Sequence, residues 1–188
     1  MKAKELVSLL NDEIVLSAWN AHQKHSTKPS GATRRIDGCT PYAVHPVGCA
    51  MLVLAESSLP HQLRYAGALA LLFHDVVEDT IAPIPPELPV EVVELVHELT
   101  FPGGSTQEMQ EIWDRSLTAR MLKCYDKWWN LADGFHTWMS ERGKTYQDKY
   151  LEYSIRLADN VDEHLDELIR PDAPRFLHIL GMIKHFSK

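Results

Sequence analysis

The stretch 67-GALALLFHDVVEDT-80 decides the reading of this chain. From His61 to Phe73 the residues are apolar on nearly every side, which places a helix in the centre of a fold rather than on its surface. The pattern then runs without a breaker into His74-Asp75 and Glu78-Asp79. Residues one, four and five positions apart lie along one broad stripe of a helix, so these four side chains project to the same side. Three carboxylates beside an imidazole at the end of an apolar helix carry a cost. A buried carboxylate has to be paired, protonated or bound to a metal. A solvated helix end, with its acids in water, would show the same pattern.

Upstream, Pro29, Ser30, Gly31, Asp37, Gly38 and Pro41 mark a long loop over Ser26 to Pro41, and loops of that length inside a compact domain are often functional. In 41-PYAVHP-46, Pro46 fits an early helical turn with the apolar run Val47 to Ala55 behind it. His45 sits at that junction, where a histidine standing alone would be a core or capping residue. Leu6, Leu10, Ile14, Ala18 and Ala21 repeat at helical spacing, predicting an amphipathic N-terminal helix.

Downstream, the four prolines between Ala82 and Pro89 exclude a continuous helix. Val90 to Leu99 reads as a short helix ended by Pro102-Gly103-Gly104, and a polar stretch without a helical assignment follows. A helix is expected from about Asp114 through Trp138. It carries 123-KCYDKWWNL-131, with Asp126 flanked one turn away by Lys123 and Asn130. Trp128 and Trp129 fit core packing there. Gly143 breaks the chain, and Tyr150, Ser154, Leu157, Val161, Leu165 and Leu168 mark one face of a long helix. Pro171 and Pro174 stop it before a short C-terminal helix. With no repeat, low-complexity tract or convincing strand, the expected architecture is all-α, a compact helical bundle.

The 188 residues suit one domain spanning 1–188. A net charge of −7 argues against general nucleic-acid binding, though a few local cations and a metal can still hold a small anionic substrate. Cys39, Cys49 and Cys124 are odd in number and lack CxxC spacing, so neither a disulfide framework nor a cysteine zinc site is expected, and a reducing cytoplasm is the simplest setting. Charges interrupt the first residues where a signal peptide would be apolar, and no apolar run approaches the ~18 residues of a membrane span. Oligomeric state is left open.

Taken together, the order H…HD…D, with HP at the first histidine, resembles the HD superfamily of metal-dependent phosphohydrolases. The segments Arg34-Arg35, DGCTPYAVHPVGCA, GALALLFHDVVEDT, VEVVELVHELT and KCYDKWWNL are similar to the hydrolase half of the RelA/SpoT alarmone enzymes, over roughly Arg34 to Asn130 and more loosely around Tyr150. The resemblance implies metal ligation by His45, His74, Asp75 and Asp126. Such a mixed imidazole and carboxylate set suits Mn²⁺, with Fe²⁺, Zn²⁺ or Mg²⁺ as alternatives. It implies that Glu78 and Asp79 orient a water or carry its proton. It gives Arg34 and Arg35 to phosphate binding or base stacking, Asn130 and Tyr150 to the substrate pocket, and Lys123 either to a phosphate or to an acid. Solvated loop arginines and a core Tyr150 are the plainer alternatives. Cys124-Tyr125 and Trp128-Trp129 depart from the family pattern and are expected to reshape the pocket floor.

The activity implied is removal of the 3′-pyrophosphate from guanosine tetra- or pentaphosphate by a small stand-alone alarmone hydrolase, since the chain has no room for a synthetase half. Two alternatives remain: a related nucleotide phosphatase acting on a 2′- or 3′-phosphate such as that of NADPH, and a non-catalytic nucleotide-sensing module. The intact HDxxED disfavours the sensor.

Overall fold

Nine α-helices form among residues 13–186, the part of the chain that the computed structural model describes. They are α1 (Glu13–His25), α2 (Val44–Ala55), α3 (His61–Asp79), α4 (Val90–Leu99), α5 (Gly104–Glu111), α6 (Leu117–Gly134), α7 (Trp138–Glu141), α8 (Lys144–Glu163) and α9 (His178–His185). No strand forms among the described residues; two isolated bridges, Ser26 with Thr80 and Thr33 with Pro41, are the only extended pairings there. Of the expected N-terminal helix, Leu6 and Leu10 lie outside the described residues, while Ile14, Ala18 and Ala21 fall on α1.

The helix read as central is central. Leu69, Ala70, Leu71, Leu72, Phe73 and Val76 of α3 are all buried, and the helix runs on to Asp79. It packs against α2 on one side and α4 on another, with α1 and α6 completing its surroundings. α6 in turn packs against α8 and α9. At about 25 cal/mol per Å² of apolar surface, burial on this scale is the main term holding the bundle together. No helix among the described residues is long and apolar enough to cross a membrane.

One close approach fixes how α2 meets α6. A Cβ added at Gly48 would lie 2.2 Å from the six-membered ring of Trp129, so the indole lies directly on the α2 backbone. That contact accounts for Trp129 as packing, as its amphipathic context predicted. Gly143 also acts as read: its φ of 90° is a left-handed conformation that turns the chain between α7 and α8.

Three boundaries differ from expectation. The helix predicted from Asp114 to Trp138 is in fact α6 alone. Asp114 belongs to a 3-10 turn (Ile112–Asp114), and the helix starts after Ser116, whose Oγ caps it by accepting the Ala119 N–H at 3.1 Å. It ends at Gly134, and Trp138 opens the separate α7. The long stripe ends earlier too. α8 stops at Glu163, and Leu165 lies in a 3-10 turn with Leu168 just beyond it, both still buried. Finally, the polar stretch after Gly103 contains α5, whose one buried residue is Glu108. Polar composition hid this helix because its inward contact is an ion pair rather than an apolar face.

Candidate metal centre and its cavity

The first turn of α2 supplies His45, the last two turns of α3 supply His74 and Asp75, and the middle of α6 supplies Asp126. All four are buried. His45 Nε2 lies 3.0 Å from Asp126 Oδ1 and 3.5 Å from Asp75 Oδ2, and His74 Nε2 lies 3.0 Å from Asp75 Oδ1. His45, His74 and Asp126 each offer a donor atom within 4.8 Å of the others. Asp75 borders this group, its Oδ2 accepting the Tyr42 hydroxyl at 2.7 Å.

The orientation of His74 tests whether a cation fits. Its Nδ1 lies 2.7 Å from the Leu71 carbonyl, which can only accept, so Nδ1 carries the proton. Nε2 of a neutral ring is then a lone pair, buried, without a hydrogen-bond partner, and facing a carboxylate. Burial pushes the His45 imidazole toward its neutral form. Lone pairs of imidazole and carboxylate pointing at one another repel unless a cation lies between them. The backbone bond behind His74 is also the usual way a ligating imidazole is held. His45, His74 and Asp126, with Asp75 at their border, fit a divalent metal.

Asp126 is held from both oxygens. Oδ1 accepts from Asn130 Nδ2 at 2.8 Å, and Oδ2 faces Lys127 Nζ at 3.0 Å and Lys123 Nζ at 3.3 Å. Burial alone would raise its pKa, but Lys127 and Lys123 outweigh that and keep the carboxylate ionised, well below the ordinary range. Glu78 behaves oppositely. Burial, reinforced by the charge of Asp75, pushes it up to about 7. Phe101 N–H donates to its Oε2 at 3.4 Å.

His45, Asp75 and Asp126 form the floor of a cavity of about 710 Å³, and His74 lies buried outside its lining. Lining it are His45, Asp75, Glu78, Asp126 and Asn130 near the floor, and Lys28, Arg34 and Arg35 from the loop before α2. Lys123, Lys127, Glu108 and Tyr150 form a wall, and Ser105, Trp138 and Arg142 stand at the far side. Six basic against four acidic side chains give this cavity an excess of positive charge in a chain of net charge −7. The long loop is organised for this purpose. Arg34 N donates to the Thr40 carbonyl and Tyr42 N to the Ala32 carbonyl, both at 2.7 Å, so the chain doubles back and sets Arg34 beside Tyr42.

The residues singled out in the sequence thus divide. His45, His74, Asp75 and Asp126 come together, with Asn130, Arg34, Arg35, Lys123 and Tyr150 around the same cavity. Arg34 is buried and paired through Nη2 with Asp133 at 2.8 Å, whereas Arg35 is exposed and loosely paired with Glu141 at 3.4 Å. Tyr150 is at once part of the core and of the cavity lining. Glu78 and Asp79 part company. Glu78 lines the cavity, while Asp79 is tied to Lys28 Nζ at 2.7 Å and lies outside the lining. The four departures from the family pattern line no part of the cavity: Cys124 and Tyr125 are buried in the core, and Trp129 reaches the site only through its edge-on contact with His45. Their influence on the floor thus runs through packing behind it, by Trp129 on Gly48 and His45.

Sequence reading passed over Lys28, Tyr42, Glu108, Lys127 and Arg142. Lys127 was legible in principle, since it brackets Asp126 together with Lys123. Glu108 and Arg142 carry no comparable signal, being placed by α5 and by the α7–α8 turn.

Fold and site together are an all-helical domain with a buried His/Asp cluster compatible with a site of the HD type. The fold is shared with a solved metazoan protein described as an ortholog of SpoT that hydrolyses ppGpp and plays a role in starvation responses. The two superpose with a TM-score of 0.64 over 93% of each chain at 22% sequence identity. The likeness is one of fold. No protein-family model matches the chain, and no curated protein matches it.

Proposed function

We propose that this protein is a metal-dependent phosphohydrolase that removes the 3′-pyrophosphate from guanosine tetra- or pentaphosphate. The observation that carries the reading is the convergence of His45, His74, Asp75 and Asp126 at the base of a cation-lined cavity, with His74 Nε2 unpaired against the Asp75 carboxylate. When bound there, a divalent metal, Mn²⁺ being the best match to the ligand set, supplies an acidified water and polarises the phosphoryl oxygens.

The chain's own residues do the rest. Glu78 lines the cavity next to the ligand pair and accepts the proton of the attacking water at Oε1, its other oxygen being engaged by Phe101 N–H. Water adds to phosphorus as the bond to the ribose 3′-oxygen breaks, the departing 3′-oxygen takes up the proton that Glu78 accepted, and pyrophosphate and the nucleoside diphosphate separate. Asn130 bridges Asp126 and Arg34, being 2.8 Å from the carboxylate and 3.5 Å from the guanidinium, and so ties the metal side of the cavity to its phosphate side. Lys28, Arg34 and Arg35 face the phosphates from the loop.

Arg142 supports a substrate charged at both ends. Its guanidinium lies 4.7 Å from the Tyr146 ring centre and 5.8 Å from that of Trp138, with only a 3.4 Å contact to Ser105 Oγ. Each of the other five basic residues lining the cavity faces a carboxylate, and among the described residues Arg142 alone does not. A second anionic group, distant from the hydrolysed one, answers that cation.

The test is product identity. Purified protein with Mn²⁺ should release pyrophosphate and GDP from guanosine tetraphosphate, and an Asp75→Ala variant should not. Orthophosphate released from NADPH alone would overturn the substrate, and turnover of neither would overturn the enzymatic reading.

A further inference from the structure

Behind Asp126 lies a buried charge cluster that the hydrolytic reading does not use. Lys123 and Lys127, both fully buried, point at Asp126 Oδ2 from one turn before it and from the next position. Two buried ammonium groups against one carboxylate would leave a net positive charge beside a site that must accept a divalent cation. Glu108 removes that excess. Its Oε2 lies 3.3 Å from Lys123 Nζ, its Oε1 meets Lys127 Nζ, and Tyr153 Oη donates to Oε1 at 2.8 Å. Both carboxylate oxygens are therefore engaged, and the residue is 5% exposed. Although Glu108 borders the cavity, it has no free lone pair directed at a substrate comparable to that of Glu78.

We propose that Glu108 is a positioning residue for the metal centre. By balancing Lys123 and Lys127 it keeps the region behind Asp126 neutral, so that Asp126 Oδ1 is available to a cation on the His45 side. The inference rests on the reading of His45, His74, Asp75 and Asp126 as a metal site. Its signature is one of charge, not of packing. Glu108→Gln keeps the shape and leaves one uncompensated lysine, whereas adding Lys123→Met restores neutrality while deleting further hydrogen bonds. Outer partners of metal ligands commonly change affinity by roughly ten- to a hundred-fold.

The experiment is a Mn²⁺ titration of the full chain without substrate, following free Mn²⁺ by electron paramagnetic resonance, with circular dichroism to check folding. Glu108→Gln should weaken Mn²⁺ binding by about ten-fold or more. The Glu108→Gln/Lys123→Met pair should return to within about three-fold of wild type, and Tyr153→Phe, which leaves every charge in place, should stay within the same margin. If Glu108→Gln does not fold, the double variant is read against wild type, and folding with near-native affinity supports the inference. A folded Glu108→Gln protein with wild-type affinity would overturn it. So would a double variant that binds no better than the single one or does not fold. Failure of the wild type itself to bind Mn²⁺ would instead remove the metal reading on which the inference stands.

Discussion

Glu78 and Arg142 show how much a single side chain owes to its surroundings. Glu78 is raised from 4.5 to about 7 by burial and by Asp75. In the metal-free protein the folded state therefore holds a proton that the unfolded state gives up. Its contribution to stability is complete below pH 4.5 and is lost as the pH rises through about 7. Thermal melts of metal-free wild type and Glu78→Gln should converge at the acid end, the variant becoming relatively more stable toward neutral pH; parallel curves would show that Glu78 is not perturbed. His22 opposes this trend, being held down at about 4 by burial, so only the difference between the two proteins isolates Glu78. Arg142→Ala should raise KM for guanosine tetraphosphate by about ten-fold, the loss of one charge-assisted contact, with a smaller effect on kcat. An unchanged KM would place the distal charge elsewhere. Of these two residues, HDxxED made Glu78 legible in the sequence. Arg142 was not, because its partners are aromatic faces brought over it by the α7–α8 turn.

At the scale of elements, the site depends on α2, α3 and α6 meeting at fixed spacing. The Trp129 ring on Gly48 sets that spacing for α2 and α6, and the same ring stands edge-on to His45, 6.5 Å between centres. Gly48→Ala forces a methyl group into the indole and should cost about 1–3 kcal/mol by overpacking. Combining it with Trp129→Leu should recover part of the loss in a denaturant melt, while an additive double variant would show that the two do not share one contact. Apolar periodicity exposed α3, α4 and α8 in the sequence, because their inward faces are hydrocarbon. It could not expose α5, whose inward residue is a glutamate bound to lysines two elements away. It also merged the 3-10 turn, α6 and the start of α7 into one helix, because a tryptophan-rich pattern continues across Gly134.

For the whole molecule, a negatively charged bundle lines one cavity with six basic side chains against four acidic ones, and beneath it buries an unpaired imidazole nitrogen, His74 Nε2, opposed to the Asp75 carboxylate. Relief of that opposition by a cation should appear as stability. Mn²⁺ at a hundred times its Kd should add about 2.7 kcal/mol. That corresponds to about 5–10 °C in Tm for a chain of this size, reversed by a chelator. Equal melting curves with and without Mn²⁺ would contradict a site that binds it. The most direct measurement is the anomalous difference density of crystals soaked in MnCl₂. The account predicts one strong peak among His45 Nε2, His74 Nε2 and the carboxylates of Asp75 and Asp126, absent from an Asp126→Ala crystal. No peak there, or a peak only at surface carboxylates, would contradict it.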